Sequence, residues 1–254
     1  MKLIVNADDF GLCEGVNHGI FDAFRRGIVT SASILAGGRA FSDAAALLQS
    51  EPKLPVGIHL TLTHGAPLCP GARTFVGEDG RFLRRDAFWA AEPALDPDEI
   101  RREFTAQIER VISAGISPDH LDSHHHIHYG ETVLPVFLDV AARYGLPVRM
   151  REENQPRSQG WAIKSPDITD ESFSGREDVF RFLQRIQEYS GGEKTVELMC
   201  HPGFADEYLM ENSSYNLPRL REHAILTNGE VRKAIAAARQ IVTAVFHQIS
   251  FRDL

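Results

Sequence analysis

Long apolar runs are missing from this chain of 254 residues. No stretch approaches the roughly 18 consecutive apolar residues of a membrane span. The opening Met-Lys-Leu-Ile-Val-Asn-Ala-Asp-Asp offers only Leu3, Ile4 and Val5 before polar and acidic groups arrive. That is too short for the apolar region of a secretory leader, so none is expected. Cysteine is scarce. Cys13, Cys69 and Cys200 form no C-x-x-C pair, and an odd number suits the reduced thiols of a cytoplasmic protein. Excess positive charge is absent as well. A net charge of -8 excludes a global attraction to nucleic acid or to an anionic membrane. There is no G-x-S-x-G elbow, P-loop, G-x-G-x-x-G or H-E-x-x-H, so serine-nucleophile, nucleotide and dinucleotide chemistry lack support. Internal repeats, low-complexity tracts and shifts in composition are also lacking. One domain over residues 1–254 is therefore expected.

What is present is an alternation of short apolar runs with longer amphipathic ones. Strands are expected at 2–7, 30–35, 56–62, 119–124, 147–150, 195–200 and 242–249. Helices are expected at 14–26, 41–49, 97–114, 132–144, 178–189 and 230–240. The helix at 97–114 is the best marked: Pro97 suits its first turn, Ile100, Phe104, Ile108 and Val111 form one stripe, and Gly115 closes it. Two polar, Gly- and Pro-containing segments, 64–97 and 151–175, read as long loops. This alternation argues for a mainly parallel α/β fold, either a (β/α) barrel or a doubly wound sheet. The barrel is favoured, in a distorted or incomplete TIM-type form, because the chemically unusual residues follow several different strands.

Those residues begin with histidine. Five of the 11 His lie between His120 and His128. In Asp122-Ser123-His124-His125-His126-Ile127-His128, a continuing strand would turn Asp122, His124, His126 and His128 to one face; a helix would pair His124 with His128. Either offers two imidazoles to one cation, with Asp122 placed to orient a ligand His. Asp8-Asp9 ends an apolar strand. Its functional reading is one carboxylate on a metal and one as general base; the alternative is a helix N-cap before Glu14. His59, within an apolar strand, reads alone as a hydrogen-bonded core residue, and as a third ligand in company with the others. His64, in the loop, has a weaker claim. His201, in the rigid turn His201-Pro202-Gly203, reads as a general acid or a turn residue. Phe88, Trp89 and Trp161 suit either stacking on sugar rings or burial in the core.

Asn6-Ala7-Asp8-Asp9-Phe10-Gly11, His59-Leu60-Thr61-Leu62-Thr63, the His124 segment and Cys200-His201-Pro202-Gly203, in this order, resemble the YdjC-like carbohydrate deacetylases, and among them the chito-oligosaccharide (diacetylchitobiose) deacetylases. The resemblance extends to Gly27-Ile28-Val29-Thr30-Ser31 and to Pro218-Arg219-Leu220. It implies a barrel-like fold and one divalent cation on Asp9, His59 and His124. It also implies Asp8 as general base and His201 as general acid. The implied substrate is a small acetylated oligosaccharide of chitin degradation, and a homodimer is a family-level expectation. The resemblance implies Mg²⁺, whereas one carboxylate and two imidazoles suit zinc or a similar transition metal better. The two long segments would line the sugar cleft. Without the resemblance, the same residues also permit a phosphoesterase, a non-sugar amidohydrolase or a non-catalytic metal-binding protein.

Overall fold

The computed structural model describes residues 1–51, 53–158, 160–189, 193–240, 247–248 and 250–254. Seven strands form one sheet: β1 (Lys2–Phe10), β2 (Ser31–Ile34), β3 (Val56–Leu60), β4 (Leu121–Ser123), β5 (Ile168–Asp170), β6 (Thr195–Cys200) and β7 (His247–Gln248). All pairings are parallel, in the order β4-β3-β2-β1-β6-β5, and β7 adds to the start of β1. Parallel strands covered on both faces need apolar side chains on both sides. From Leu3 to Phe10, every residue of β1 is buried. The sheet curls into an incomplete barrel with helices outside.

The helices are α1 (Glu14–Arg26), α2 (Phe41–Ser50), α3 (Arg85–Ala91), α4 (Pro97–Ser113), α5 (Val133–Tyr144), α6 (Val179–Glu188), α7 (Glu207–Asn212), α8 (Leu217–Leu226) and α9 (Gly229–Gln240). Asp96 caps α4 by accepting from Asp98 and Glu99 N–H, and the expected stripe of Ile100, Phe104, Ile108 and Val111 is wholly buried. α5 ends on Gly145, whose φ of 66° is the left-handed cap that glycine adopts without strain. Gly57 has a packing role: a Cβ there would lie 2.3 Å from the buried His120 ring. No helix among the described residues is long and apolar enough to cross a membrane.

Several expectations change. β1 does not stop at its acids but runs through Asp8 and Asp9 to Phe10, with a register shift against β2 between Ala7 and Phe10. The strand expected at 147–150 shrinks to a single bridge, Leu121 with Val148. Of the strand expected at 242–249, only 247–248 lies among the described residues, and it pairs with β1. The segment 64–97 is not bare loop. It contains α3 and is fastened to α4 by two buried carboxylates. Glu103 accepts from the N–H groups of Leu68 and Cys69, and Glu99 from those of Arg73 and Thr74. The segment 151–175 contains β5.

The Glu99 clasp has a pH signature. Burial pushes its carboxyl up, but the hydrogen bonds from Thr74 and Arg73 outweigh this and hold it down at about 2. A depressed carboxylate stabilises the fold above its unfolded pKa, and this stabilisation fades as pH falls from about 4.5 towards 2. Glu99→Ala strands two N–H groups and is expected to cost about 1–3 kcal/mol at pH 7. In urea titrations the gap to the parent protein should narrow below pH 4.5; a gap that is constant with pH would refute the clasp.

Candidate metal centre and active site

The parallel sheet brings its carboxyl ends to one edge, where barrel enzymes keep their chemistry. β1 delivers Asp8 and Asp9 there. In a regular strand, adjacent side chains point to opposite faces. Asp9 instead has a φ of 71°, a left-handed conformation rare outside glycine. That kink, together with the register shift, turns both carboxylates towards His59 of β3. His59 Nε2 lies 3.3 Å from Asp9 Oδ1 and 4.0 Å from Asp8 Oδ2. His124 follows β4 directly and places Nδ1 2.8 Å from the same Asp9 oxygen. Asp9, His59 and His124 are thus brought together with their ligand atoms within 4.8 Å of one another.

The geometry of this trio suits a cation. Asp9 Oδ1 is buried and accepts no aligned hydrogen bond, although two imidazole nitrogens lie close by. Three donor atoms converge on one point without an N–H aimed at the oxygen. Asp122, paired with His59 in the β3–β4 register, accepts from His59 Nδ1 at 2.8 Å and so leaves Nε2 to face the trio. Burial pushes the His59 ring down, but Asp122 and Asp8 push it up, to about 10. Asp9 is pushed up by burial, yet His124 and Arg219 hold it well below the usual carboxylate range. Arg219 Nη2 donates to Asp9 Oδ2.

Asp8 is held by a residue that the sequence reading did not single out. Arg149, fully buried, donates Nη1 to Asp8 Oδ2 and Nη2 to Asp8 Oδ1, each at 2.7 Å. Its Nε donates to Glu197 Oε1 at 2.7 Å, and Nη2 lies 3.0 Å from Asp122 Oδ2. Asn6 Nδ2 adds a hydrogen bond to Asp8 Oδ1. Burial pushes the Asp8 carboxyl up, but the guanidinium outweighs it and holds it far below the usual range. Glu197, which shares the same guanidinium, is pushed up by burial to about 7. There was a signal in the sequence for both residues. Each is a charge set in an apolar run, Pro147-Val148-Arg149-Met150 and Thr195-Val196-Glu197-Leu198, and a charge in such a run needs a partner.

His201 follows β6 and is half-buried. Its backbone N–H donates to Glu222 of α8, which also accepts from the Tyr215 hydroxyl; the His201 and Tyr215 rings meet edge-on at 5.4 Å. His201 is near enough to Asp8 to help depress its carboxyl. The remaining histidines diverge from expectation. The run 124–129 is neither strand nor regular helix, because His125 and His126 are both left-handed. His128 therefore shares no face with His124. It is buried against Phe137, with Nδ1 on Ser123 Oγ. His64 meets the His124 ring edge-on at 5.7 Å. Of the aromatics, Phe88 is wholly buried and offers no stacking face, Trp89 is exposed, and Trp161 lines a groove with Pro97, Arg101 and Pro135.

Comparisons with known proteins place the chain among its relatives. A carbohydrate deacetylase of Halalkalibacterium halodurans is 42% identical over 230 residues, covering 89% of this chain and 95% of that protein. Carbohydrate deacetylase 1 of Listeria innocua is 40% identical over the whole of both chains. A crystal structure from Enterococcus faecalis, provisionally described as a cellobiose-phosphate cleavage protein, superposes with a TM-score of 0.89 at 33% identity, over 99% of this chain and 98% of that one. A family 4 carbohydrate esterase from Streptomyces lividans shares the fold at a TM-score of 0.51 and 12% identity, over 98% of both chains. The family model for YdjC-like proteins matches residues 2–237, and the chain belongs to that family.

Proposed function

We propose that this protein removes an N-acetyl group from an amino sugar of a chito-oligosaccharide such as diacetylchitobiose, releasing acetate, with one divalent cation on Asp9, His59 and His124. The observation that carries the reading is the convergence of those three side chains on the unaligned Asp9 oxygen, beside a clamped Asp8. The names of the relatives support a carbohydrate substrate and deacetylation.

A cation held there supplies Lewis acidity, polarising the amide carbonyl and making water more acidic. Asp8 is the general base. Its Oδ1 is occupied by Arg149 and Asn6, whereas Oδ2 accepts only from Arg149 and keeps a lone pair for the water proton. The Arg149 clamp keeps Asp8 ionised and fixed in direction. His201, anchored through Glu222, protonates the departing nitrogen, which is otherwise a very poor leaving group. A two-metal phosphoesterase fits less well, because the guanidinium of Arg149 already lies among Asp8, Asp122 and Glu197, where a second ion would need its carboxylates.

Acetate release from diacetylchitobiose and chitotriose tests the reading. Metal-stripped protein is expected to be silent, and Mg²⁺, Zn²⁺, Co²⁺ or Mn²⁺, added singly, to restore release in the parent but not in Asp8→Asn. Silence with every metal, from protein shown to bind one, would reject this substrate class.

A further inference from the structure

Two members of the histidine run belong neither to the trio nor to the core. His125 (φ 56°, ψ 19°) and His126 (φ 56°, ψ 33°) are consecutive left-handed residues, and neither is glycine. L residues visit that region singly and at a cost, and such strain persists where the surroundings demand it, often at ligand sites. Here the double turn lays the His125 ring against that of His124, centroids 3.9 Å apart, and sends His126 elsewhere. His124 meets Asp9. His125 leans towards the 64–97 side, with Nδ1 3.0 Å from Thr63 Oγ1. His126 leans the other way, into the 151–175 side. Its Nδ1 lies 3.4 Å from Glu171 Oε1, and its ring stacks on Tyr129.

Both rings are partly open to solvent; His125 is tied back by Nδ1 to Thr63, whereas the buried Nδ1 of His126 has no hydrogen-bond partner among the described residues. The His126 side chain is 27% exposed although its Nδ1 is buried. Neither Nε2 hydrogen-bonds to any described residue. Buried core histidines of this chain look different: His128 is fully enclosed against Phe137, and His120 stacks on Phe251.

We infer that His125 and His126 are the substrate-positioning groups of the two cleft walls, hydrogen-bonding sugar hydroxyl and acetamido groups on either side of the trio. This rests on the deacetylase reading. A neutral His126 ring offers Nε2 as either donor or acceptor to a hydroxyl or amide group. The strain is the means by which one tripeptide serves the centre and both walls.

Steady-state kinetics on diacetylchitobiose with metal-loaded enzyme test it. His125→Asn and His126→Asn keep a residue that tolerates left-handed backbone but is too short to reach the sugar. Each is expected to lower kcat/KM about tenfold, the worth of one lost hydrogen bond, almost wholly through KM. The metal-induced rise in Tm should be unchanged, and His126→Gln, with its longer reach, should recover part of the KM. An unaltered KM in both Asn variants would overturn the inference and leave the deacetylase reading standing. Loss of the metal-induced Tm rise would also overturn it, because the residues would then serve the cation. Absence of acetate release by the parent protein removes both.

Discussion

His124→Ala is expected to abolish acetate release and metal binding together while leaving the fold in place. The ligand set proposed for the cation has only three side chains, and His124 is the one that is least built into the scaffold. His59 is fixed by Asp122 and buried within β3, and Asp9 is gripped by Arg219. The His124 side chain is 13% exposed and has Asp9 as its ion-pair partner, its ring otherwise meeting only those of His59, His64 and His125. Removing it deletes a ligand without emptying the core. A ligand that binds only the folded state stabilises it by about 2.7 kcal/mol at a hundred times its Kd. The parent protein should show that gain as a rise in Tm on adding metal, and the variant should show none. Asp8→Asn supplies the contrast. It should retain most of the metal-induced rise and lose turnover by roughly 10²–10⁴-fold, as expected for a missing general base. Full activity in His124→Ala, or loss of metal binding in Asp8→Asn with retention in His124→Ala, would reverse the assignment of roles.

How much of this could be read from the sequence depends on what holds each part together. Elements buried by apolar side chains were legible: the strands that carry His59 and Asp122, the first part of β1, and α4 with its stripe fall where periodicity puts them. Elements held by charge were not. The face that α8 buries includes Arg219, Glu222 and His223, whose partners are Asp9, the His201 backbone and Asp22. No apolar stripe marks such a helix, and α8 was missed. α3, α7 and β5 are seven, six and three residues long, too short for a period to declare itself. The histidine run was legible as chemistry but not as geometry. Strand or helix were the regular choices, and two left-handed histidines are not encoded by any turn residue. Asp122 as the orienting carboxylate was legible because it neighbours the cluster, whereas the pairing of Arg149 with Asp8 spans 141 residues and leaves only a lone charge in an apolar segment as its trace.

That lone charge makes Arg149→Leu the most damaging single change expected outside the proposed ligands. Arg149 is wholly buried and answers three carboxylates that are themselves buried: Asp8, Asp122 and Glu197. Removing one partner of a buried charge pair typically costs about 3–5 kcal/mol, because the remaining charges stay uncompensated. Lysine is no substitute, since one ammonium cannot reproduce a planar fork that spans Asp8 and Glu197 at once. The loss should depend on pH with a definite sign. In the parent, the depressed carboxyl of Asp8 stabilises the fold above its unfolded value, and that stabilisation fades on acidification. In Arg149→Leu, Glu197, whose carboxyl burial already pushes up to about 7, loses the guanidinium that holds it down and rises further. Its contribution is then favourable at low pH and is lost as pH rises through its folded value. Between pH 5 and pH 8 the Asp8 contribution is fully present, so the Glu197 effect widens the gap there, and the Asp8 effect closes it further only below the unfolded value of 3.8. Urea titrations at pH 8 and pH 5 should show a clearly smaller difference between parent and variant at pH 5. A gap of equal size at both would mean that Arg149 matters for its volume rather than its charge. Activity should fall with the charge in either case, since Asp8 would lose both its fixed direction and the ionised form that accepts the water proton.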